Sequence, residues 1–154
     1  MHHDNSECIF CQIIAGQAPA TVLYEDGIAI VILDLFPIRA GHTLIIPRYH
    51  APLLEQQSSE VAAHLYRLAQ KVIRAHKDAG LPLDAHNLVL NDGKAANQHV
   101  PHVHLHVIPR RRGDTLAMIV RWWTRMLPLK SQRKRRAELD AIAEKLHPTL
   151  TPPL

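Results

Sequence analysis

The sequence has no run of 18 apolar residues, so it lacks the signature of a transmembrane helix. The five residues after Met1 are polar, so no secretory signal is expected, and the cytoplasm is the expected location. Only two of the 154 residues are cysteines, which argues against a secreted fold stapled by disulfides. Internal repeats and low-complexity tracts are also missing. What remains is a chain long enough for one domain with a sizeable core.

The two cysteines, Cys8 and Cys11, are separated by two residues, a spacing typical of half a metal site or of a redox pair. A thioredoxin-type redox pair follows a β-strand, and too few residues precede Cys8 to form one. The spacing therefore favours metal binding.

Charge is distributed unevenly along the chain. Residues 110–136 hold ten Lys or Arg and one acidic residue, Asp114, which gives this segment +9 in a chain of net +4. Such a segment suits nucleic acid, an anionic nucleotide or an acidic partner surface. A solvated helix face explains the same charges equally well, so the sequence leaves both interpretations open.

Residues 102–108 alternate histidine with aliphatic residues between Pro101 and Pro109. A period of two predicts a β-strand with His102, His104 and His106 on one face. Three interpretations compete: an ordinary polar strand face, a His-rich metal site, or a catalytic strand on which one imidazole attacks phosphorus. Imidazole titrates near neutral pH, which suits the catalytic role, and the surrounding residues decide for it.

The remaining pattern predicts an α+β layout with a mostly antiparallel sheet. Five strands are expected, over residues 22–24, 28–33, 42–46, 86–90 and 103–108. A helix over Ser58–Ala79, N-capped by Ser58, is expected to cover the sheet, with His64 and His76 at its surface. A charged helix over about residues 131–146 should precede a loose tail that starts at Pro148.

Several motifs, met in the expected order, resemble the histidine triad (HIT) family and its bacterial zinc-containing branch. The family pattern His-φ-His-φ-His-φ-φ, where φ is hydrophobic, fits residues 102–108 in full. Residues 8–14 resemble the family's opening, and residues 34–47 resemble its ribose loop and third strand. Residues 98–101 lead into the triad as in bacterial members. The resemblance covers roughly residues 8–112.

The resemblance implies a HIT fold, in which a five-stranded sheet is packed against a covering helix and a C-terminal helix. It divides the chain into a nucleotide-binding catalytic domain over residues 1–112 and a basic extension over residues 113–154 packed on the same domain. Family members usually dimerise through one continuous sheet, so a homodimer is expected. Trp122 and Trp123 of the extension are expected to be buried rather than to stack a second base.

The function implied by the resemblance is hydrolysis or nucleotidyl transfer at the α-phosphate of a purine nucleotide, such as a dinucleoside polyphosphate or a nucleoside phosphoramidate. His104 would attack phosphorus and form a covalent nucleotidyl-histidine. The backbone carbonyl of His102 would hold the proton of its other ring nitrogen. His106 and Gln98 would contact the phosphate or leaving group, with His42 as support.

The resemblance also implies substrate and metal contacts. Asp34 would accept hydrogen bonds from the ribose hydroxyls, and Asn91 would line the phosphate site. Four apolar residues would form the base slot, although core packing explains them too: Ile9, Phe10, Leu33 and Phe36.

A structural Zn²⁺ would be held by Cys8, Cys11, His50 and His99, a closed set of four ligands. The alternative function is a non-catalytic nucleotide- or nucleic-acid-binding module that uses the basic extension. Nucleic acid is not favoured as a partner, because a pure binder has no need of the intact triad. A membrane partner is not expected.

Overall fold

The computed structural model describes residues 7–125, 127 and 131–150. Five strands, four α-helices and two short 3₁₀ turns make up this part of the chain. In chain order the strands and α-helices are α1 (Ile9–Ile14), β1 (Val22–Glu25), β2 (Ala29–Leu33), β3 (Thr43–Pro47), α2 (Ser59–Asp78), β4 (Ala85–Leu90), β5 (Leu105–Arg110), α3 (Thr115–Thr124) and α4 (Gln132–Leu150). Residues 151–154 of the predicted loose tail lie outside the described residues.

The strands form one sheet in the order β1-β2-β3-β5-β4, and every neighbouring pair is antiparallel. This arrangement confirms the predicted α+β fold. The hairpin between β1 and β2 turns at Asp26, whose carboxylate accepts hydrogen bonds from the backbone N–H groups of Ile28 at 2.8 Å and Ala29 at 2.9 Å. A side chain that satisfies backbone donors in this way favours a tight turn.

The predicted catalytic strand begins and ends two residues later than expected, at Leu105 and Arg110 instead of residues 103 and 108. β5 begins at Leu105, so His102 and His104 precede the regular strand. The alternation of side chains nevertheless persists: Val103, Leu105 and Val107 belong to the main core cluster, away from the histidines. The aliphatic half of the pattern is thus used for packing, as period-two burial requires.

Helix α2 begins after Ser58, whose hydroxyl accepts a hydrogen bond from Val61 N–H at 3.2 Å. The prediction that His64 and His76 lie at the surface is wrong: both are buried, and His76 has no exposed surface. The reason is helical spacing, because His64 and His76 fall at intervals of four from Leu68 and share its inward face.

The C-terminal helix is longer than predicted and continues through Pro148 to Leu150. Its apolar side chains belong to the same core cluster as the strands, with Leu146 and Leu150 almost completely buried. Trp122 on α3 is partly buried, whereas Trp123 is 72% exposed, so the predicted burial fails for Trp123. The domain boundary at residue 112 stays a prediction.

None of the helices in the described part of the chain is long and apolar enough to cross a membrane. The cytoplasmic location stays a prediction.

Candidate active site

A cavity of about 480 Å³ lies in front of His104 and His106. Its walls come from α1, from β2 and the loop after it, from the loop that enters β5, from α4, and from Arg125 just after α3. All six residues predicted to bind substrate line this cavity: Ile9, Phe10, Leu33, Asp34, Phe36 and Asn91. Most of the wall is apolar and the polar groups are few, which is typical of a small-molecule site.

The orientation of His104 is fixed by the backbone beside it. Its Nδ1–H donates a 2.7 Å hydrogen bond to the carbonyl oxygen of His102, which leaves Nε2 as the ring nitrogen with an unshared pair. Burial lowers the pKa of His104 from its ordinary value, despite the opposing hydrogen bond to His102. The imidazole is therefore neutral near pH 7, which is the form a nucleophile needs.

A hydrogen-bonded pair of imidazoles stands behind His104. The backbone N–H of Ile38 donates to His42 Nδ1 at 3.2 Å, so the ring proton of His42 is on Nε2. That Nε2 lies 2.9 Å from His106 Nδ1, so His106 in turn keeps its proton on Nε2. Burial lowers the pKa of both rings, that of His42 to about 4. Because both rings are neutral and their tautomers are fixed in this order, His106 presents its Nε2–H as a hydrogen-bond donor at the cavity.

Asp34 is a buried carboxylate at the edge of the cavity. One oxygen accepts the backbone N–H of Phe36 at 2.9 Å, and the other lies 2.8 Å from Arg125 Nη1 and 3.5 Å from His42 Nε2. Burial alone would raise the pKa of Asp34, but His42, Arg125 and the Phe36 N–H together lower it. Asp34 is therefore ionised at neutral pH.

Arg125 was not among the predicted site residues. The sequence shows a basic segment there, but no local pattern indicates that Arg125 meets a carboxylate 91 positions earlier. Trp122 was likewise not assigned to the site, and its ring centroid lies 5.9 Å from that of His106.

Gln98 does not line the cavity described above. Its side-chain amide donates to the carbonyl oxygen of Pro52 at 2.7 Å and its carbonyl accepts the N–H of Gly93 at 2.8 Å. In this state Gln98 holds the loop that enters β5, and its predicted contact with phosphate stays a prediction.

A second cluster of donor atoms lies beside the first. Cys8, Cys11, His50 and His102 each offer one ligand atom, and the four atoms lie within 4.8 Å of one another. The prediction named His99 in place of His102, and the structure corrects it: His99 lies at the cavity instead. The chain turns sharply before β5, where His102 N–H donates to the carbonyl oxygen of Val100, and this turn brings the His102 ring to the cysteines.

The spacing of these donor atoms fits a tetrahedral zinc ion. His102 Nδ1 lies 3.5 Å from Cys8 Sγ, 3.6 Å from Cys11 Sγ and 3.2 Å from His50 Nδ1. Tetrahedral Zn–S and Zn–N bonds place sulfur and nitrogen about 3.5 Å apart, and two nitrogens about 3.3 Å apart. His102 Nε2–H donates to the carbonyl oxygen of Pro47 at 2.8 Å, which turns the unshared pair of Nδ1 toward the cluster.

Comparisons with known proteins agree with this geometry. A zinc-bound histidine triad family protein from Mycobacterium smegmatis superimposes with a TM-score of 0.72 at 38% identity, over 92% of this chain and 96% of that one. An adenosine 5′-monophosphoramidase from Saccharomyces cerevisiae is 37% identical over 140 residues, 91% of this chain and 85% of that protein.

An adenylylsulfatase from Arabidopsis thaliana is 37% identical over 141 residues, 92% of this chain and 66% of that protein. Residues 15–113 match the model of the HIT domain. With the triad, its cavity and these relatives in agreement, the chain belongs to the histidine triad (HIT) family.

Proposed function

We propose that this protein is a nucleotide hydrolase or nucleotidyl transferase that acts at the α-phosphate of a purine nucleotide, with His104 as the nucleophile. The observation that supports it best is the 2.7 Å bond from His104 Nδ1–H to the carbonyl oxygen of His102, at the wall of a 480 Å³ cavity. This bond fixes the tautomer in which Nε2 is the attacking nitrogen.

In the first step, Nε2 of His104 forms a bond to the α-phosphorus, and the leaving group departs with the electron pair of the bond that breaks. In the second, water attacks the same phosphorus, the N–P bond breaks, and its electron pair returns to Nε2. Division of the reaction in two is the usual advantage of a covalent intermediate. His106 Nε2–H is suited to stabilise charge on the phosphoryl oxygens, and His42 positions that donor.

The nucleoside would fill the rest of the cavity. Among the described residues that line it, Asp34 is the one carboxylate, and a carboxylate accepts hydrogen bonds from two neighbouring hydroxyls. We therefore assign the ribose to Asp34 and the purine to the apolar slot. Two relatives named for adenylyl substrates, an adenylylsulfatase and an adenosine 5′-monophosphoramidase, support adenosine as the nucleoside.

We also propose that Cys8, Cys11, His50 and His102 hold a structural Zn²⁺. Four protein ligands close the coordination shell, so the ion would stabilise the fold rather than bind substrate. His102 connects the two sites, because its ring belongs to the metal cluster while its carbonyl orients His104.

The arginines of the basic segment support a nucleotide site over a nucleic-acid surface. Arg110 pairs with Asp114 at 2.6 Å, and Arg125 pairs with Asp34 at 2.8 Å. Two of these charges are thus used inside the fold, whereas a nucleic-acid interface needs its cations at the surface.

For assembly, we propose a homodimer that pairs through β4. This strand is at one end of the sheet, and Leu88 on it is 40% exposed. An unpaired strand edge is a ready template for a second copy. Sedimentation of the wild type as a dimer and of Leu88→Glu as a monomer would support this assembly, and a monomeric wild type would refute it.

The activity is tested by incubation with adenosine 5′-phosphosulfate and adenosine 5′-phosphoramidate, with release of AMP followed over time. Intact mass spectrometry of quenched samples should detect the adenylyl adduct. His104→Asn should abolish both signals, and His147→Asn, a matched change on the exposed side of α4, should leave them intact. Unchanged turnover in His104→Asn would refute the mechanism.

A further inference from the structure

A second cavity, of about 440 Å³, adjoins the nucleotide cavity. Phe36, Arg125 and Leu139 line both, so the two spaces share one wall. The second cavity is formed by the loop before β3 together with α3 and α4. None of the residues assigned to the reaction or to zinc lies in it apart from Phe36 of the base slot.

The second cavity is rich in arginine. Among the described residues, four arginines and one carboxylate, Glu138, line it: Arg39, Arg121, Arg125 and Arg135. Arg121 donates to the backbone carbonyl of Ile38 at 3.2 Å, and the guanidinium of Arg135 lies 4.4 Å above the ring of Phe36. Arg39 and Arg125 are paired with carboxylates, of Asp114 at 3.0 Å and of Asp34 at 2.8 Å. The contacts of Arg121 and Arg135 leave their charges in place, and these two exceed the single charge of Glu138. A net positive, arginine-lined space is suited to phosphate, because guanidinium groups bind phosphate oxygens in pairs.

The position of Arg125 relates this space to the nucleotide. Arg125 lines both cavities, and its Nη1 donates to the carboxylate of Asp34 at 2.8 Å. If Asp34 holds the ribose hydroxyls, as proposed above, then Arg125 is the neighbour of those hydroxyls. A group attached to one of them would extend past Arg125 toward the other arginines.

We propose that the second cavity binds a phosphate group on the ribose, so that the preferred substrates are adenosine nucleotides phosphorylated at the 2′ or 3′ hydroxyl. This inference rests on the proposed function for the placement of the ribose. The remaining hydroxyl still donates to Asp34. The added phosphate lies among cations, whose charge offsets its repulsion by that carboxylate.

The test compares two substrates with the same leaving group: adenosine 5′-phosphosulfate and 3′-phosphoadenosine 5′-phosphosulfate, with the 2′-phosphate isomer as a further arm. The wild type should show kcat/KM at least about ten-fold higher for one phosphorylated isomer, since a charged hydrogen bond contributes about that factor. Arg121→Gln and Arg135→Gln should each lower this ratio toward one. Arg133→Gln, the same change on the exposed side of α4, should preserve it. A wild-type ratio of one or less would overturn the inference.

A binding measurement separates this inference from the proposed function. Calorimetry should give a Kd about ten-fold lower for adenosine 3′,5′-bisphosphate or its 2′,5′ isomer than for AMP, with the difference reduced in both arginine variants. If no substrate is hydrolysed but this difference is found, the proposed function fails and the phosphate site stands. If His104-dependent turnover is found but the ligands bind equally, the function stands and the phosphate site is refuted.

Discussion

Two groups of histidines lie side by side in this protein. The metal cluster consists of Cys8, Cys11, His50 and His102, and the catalytic cluster consists of His42, His104 and His106. His102, in the cysteine cluster, donates its Nε2–H to the carbonyl of Pro47 and keeps the unshared pair on Nδ1. His104, two residues later, donates its Nδ1–H to the carbonyl of His102 and keeps the pair on Nε2. The unshared electron pair of His102 is directed at the two cysteine sulfur atoms, and that of His104 is directed at the cavity. The backbone carbonyl that each ring meets therefore selects, between two residues of the same type, which ring nitrogen keeps the unshared pair.

The largest effect on activity is expected from a change of His104, the proposed nucleophile. His104→Asn should lower kcat/KM by about 10⁴-fold or more, because the covalent step has no substitute. The zinc content and the midpoint of thermal unfolding should stay close to those of the wild type. Steady-state kinetics, elemental analysis and calorimetry measure the three quantities. Loss of zinc in this variant would show that the two clusters are not separate in function.

The converse change removes one of the four proposed zinc ligands. Cys8→Ser should abolish stoichiometric zinc and lower the free energy of unfolding by several kcal/mol, because metal binding contributes directly to folding. Turnover should fall less than in His104→Asn, since the nucleophile remains. Zinc content and urea unfolding measure the effect, with His104→Asn as the control of unchanged metal. Equal stability with and without zinc would contradict a structural role.

Within the catalytic cluster, His42→Gln should lower kcat by about 10–100-fold with little change in KM, a range typical of residues that position a reacting group. The change disturbs the hydrogen bond that sets the tautomer of His106, while the Nε2 of His104 stays in place. Zinc content should not change. A rise in KM alone would assign His42 to ground-state binding instead.

The smallest effect concerns a histidine outside both clusters. Burial lowers the pKa of His76 from 6.5 to about 4 in the folded protein. Between these values the unfolded chain binds the proton more strongly, so stability is complete above pH 6.5 and declines as the pH falls toward 4. The decline per histidine approaches on the order of 1.4 kcal/mol per pH unit.

His76→Gln should therefore show a shallower decline in the free energy of unfolding between pH 7 and pH 5, measured in urea. His147→Gln, on an exposed position, should follow the wild type. Because the buried ring of His42 in the catalytic cluster shifts in the same direction, some decline should persist in His76→Gln. An identical slope in both variants would mean that His76 is not responsible.

Much of the fold could be predicted because its signals are local. The strands and α2 follow from periodicity, and Ser58 caps α2 as its position at the start of the helix indicates. The extent of α4 could not be predicted in the same way. A proline is unfavourable inside a helix, so Pro148 predicts that the helix ends before it. The helix nevertheless continues, because Leu146 and Leu150 are buried in the core and hold the last turn in place.

The residues of the site likewise divide into those that local sequence indicates and those that only the tertiary structure brings together. The sequence by itself determined two sets of reactive groups: the alternation that separates histidines from core aliphatics, and the Cys-x-x-Cys spacing. These are properties of residues close in sequence. Asp34 was indicated by the resemblance to the HIT family. Only the tertiary structure decided that His102 rather than His99 joins the cysteines, and that Arg125 contacts Asp34. It also decided that the side chain of Gln98 is hydrogen-bonded to the backbone of Pro52 and Gly93. Such choices depend on where a loop turns and on contacts between distant segments, which no local pattern specifies.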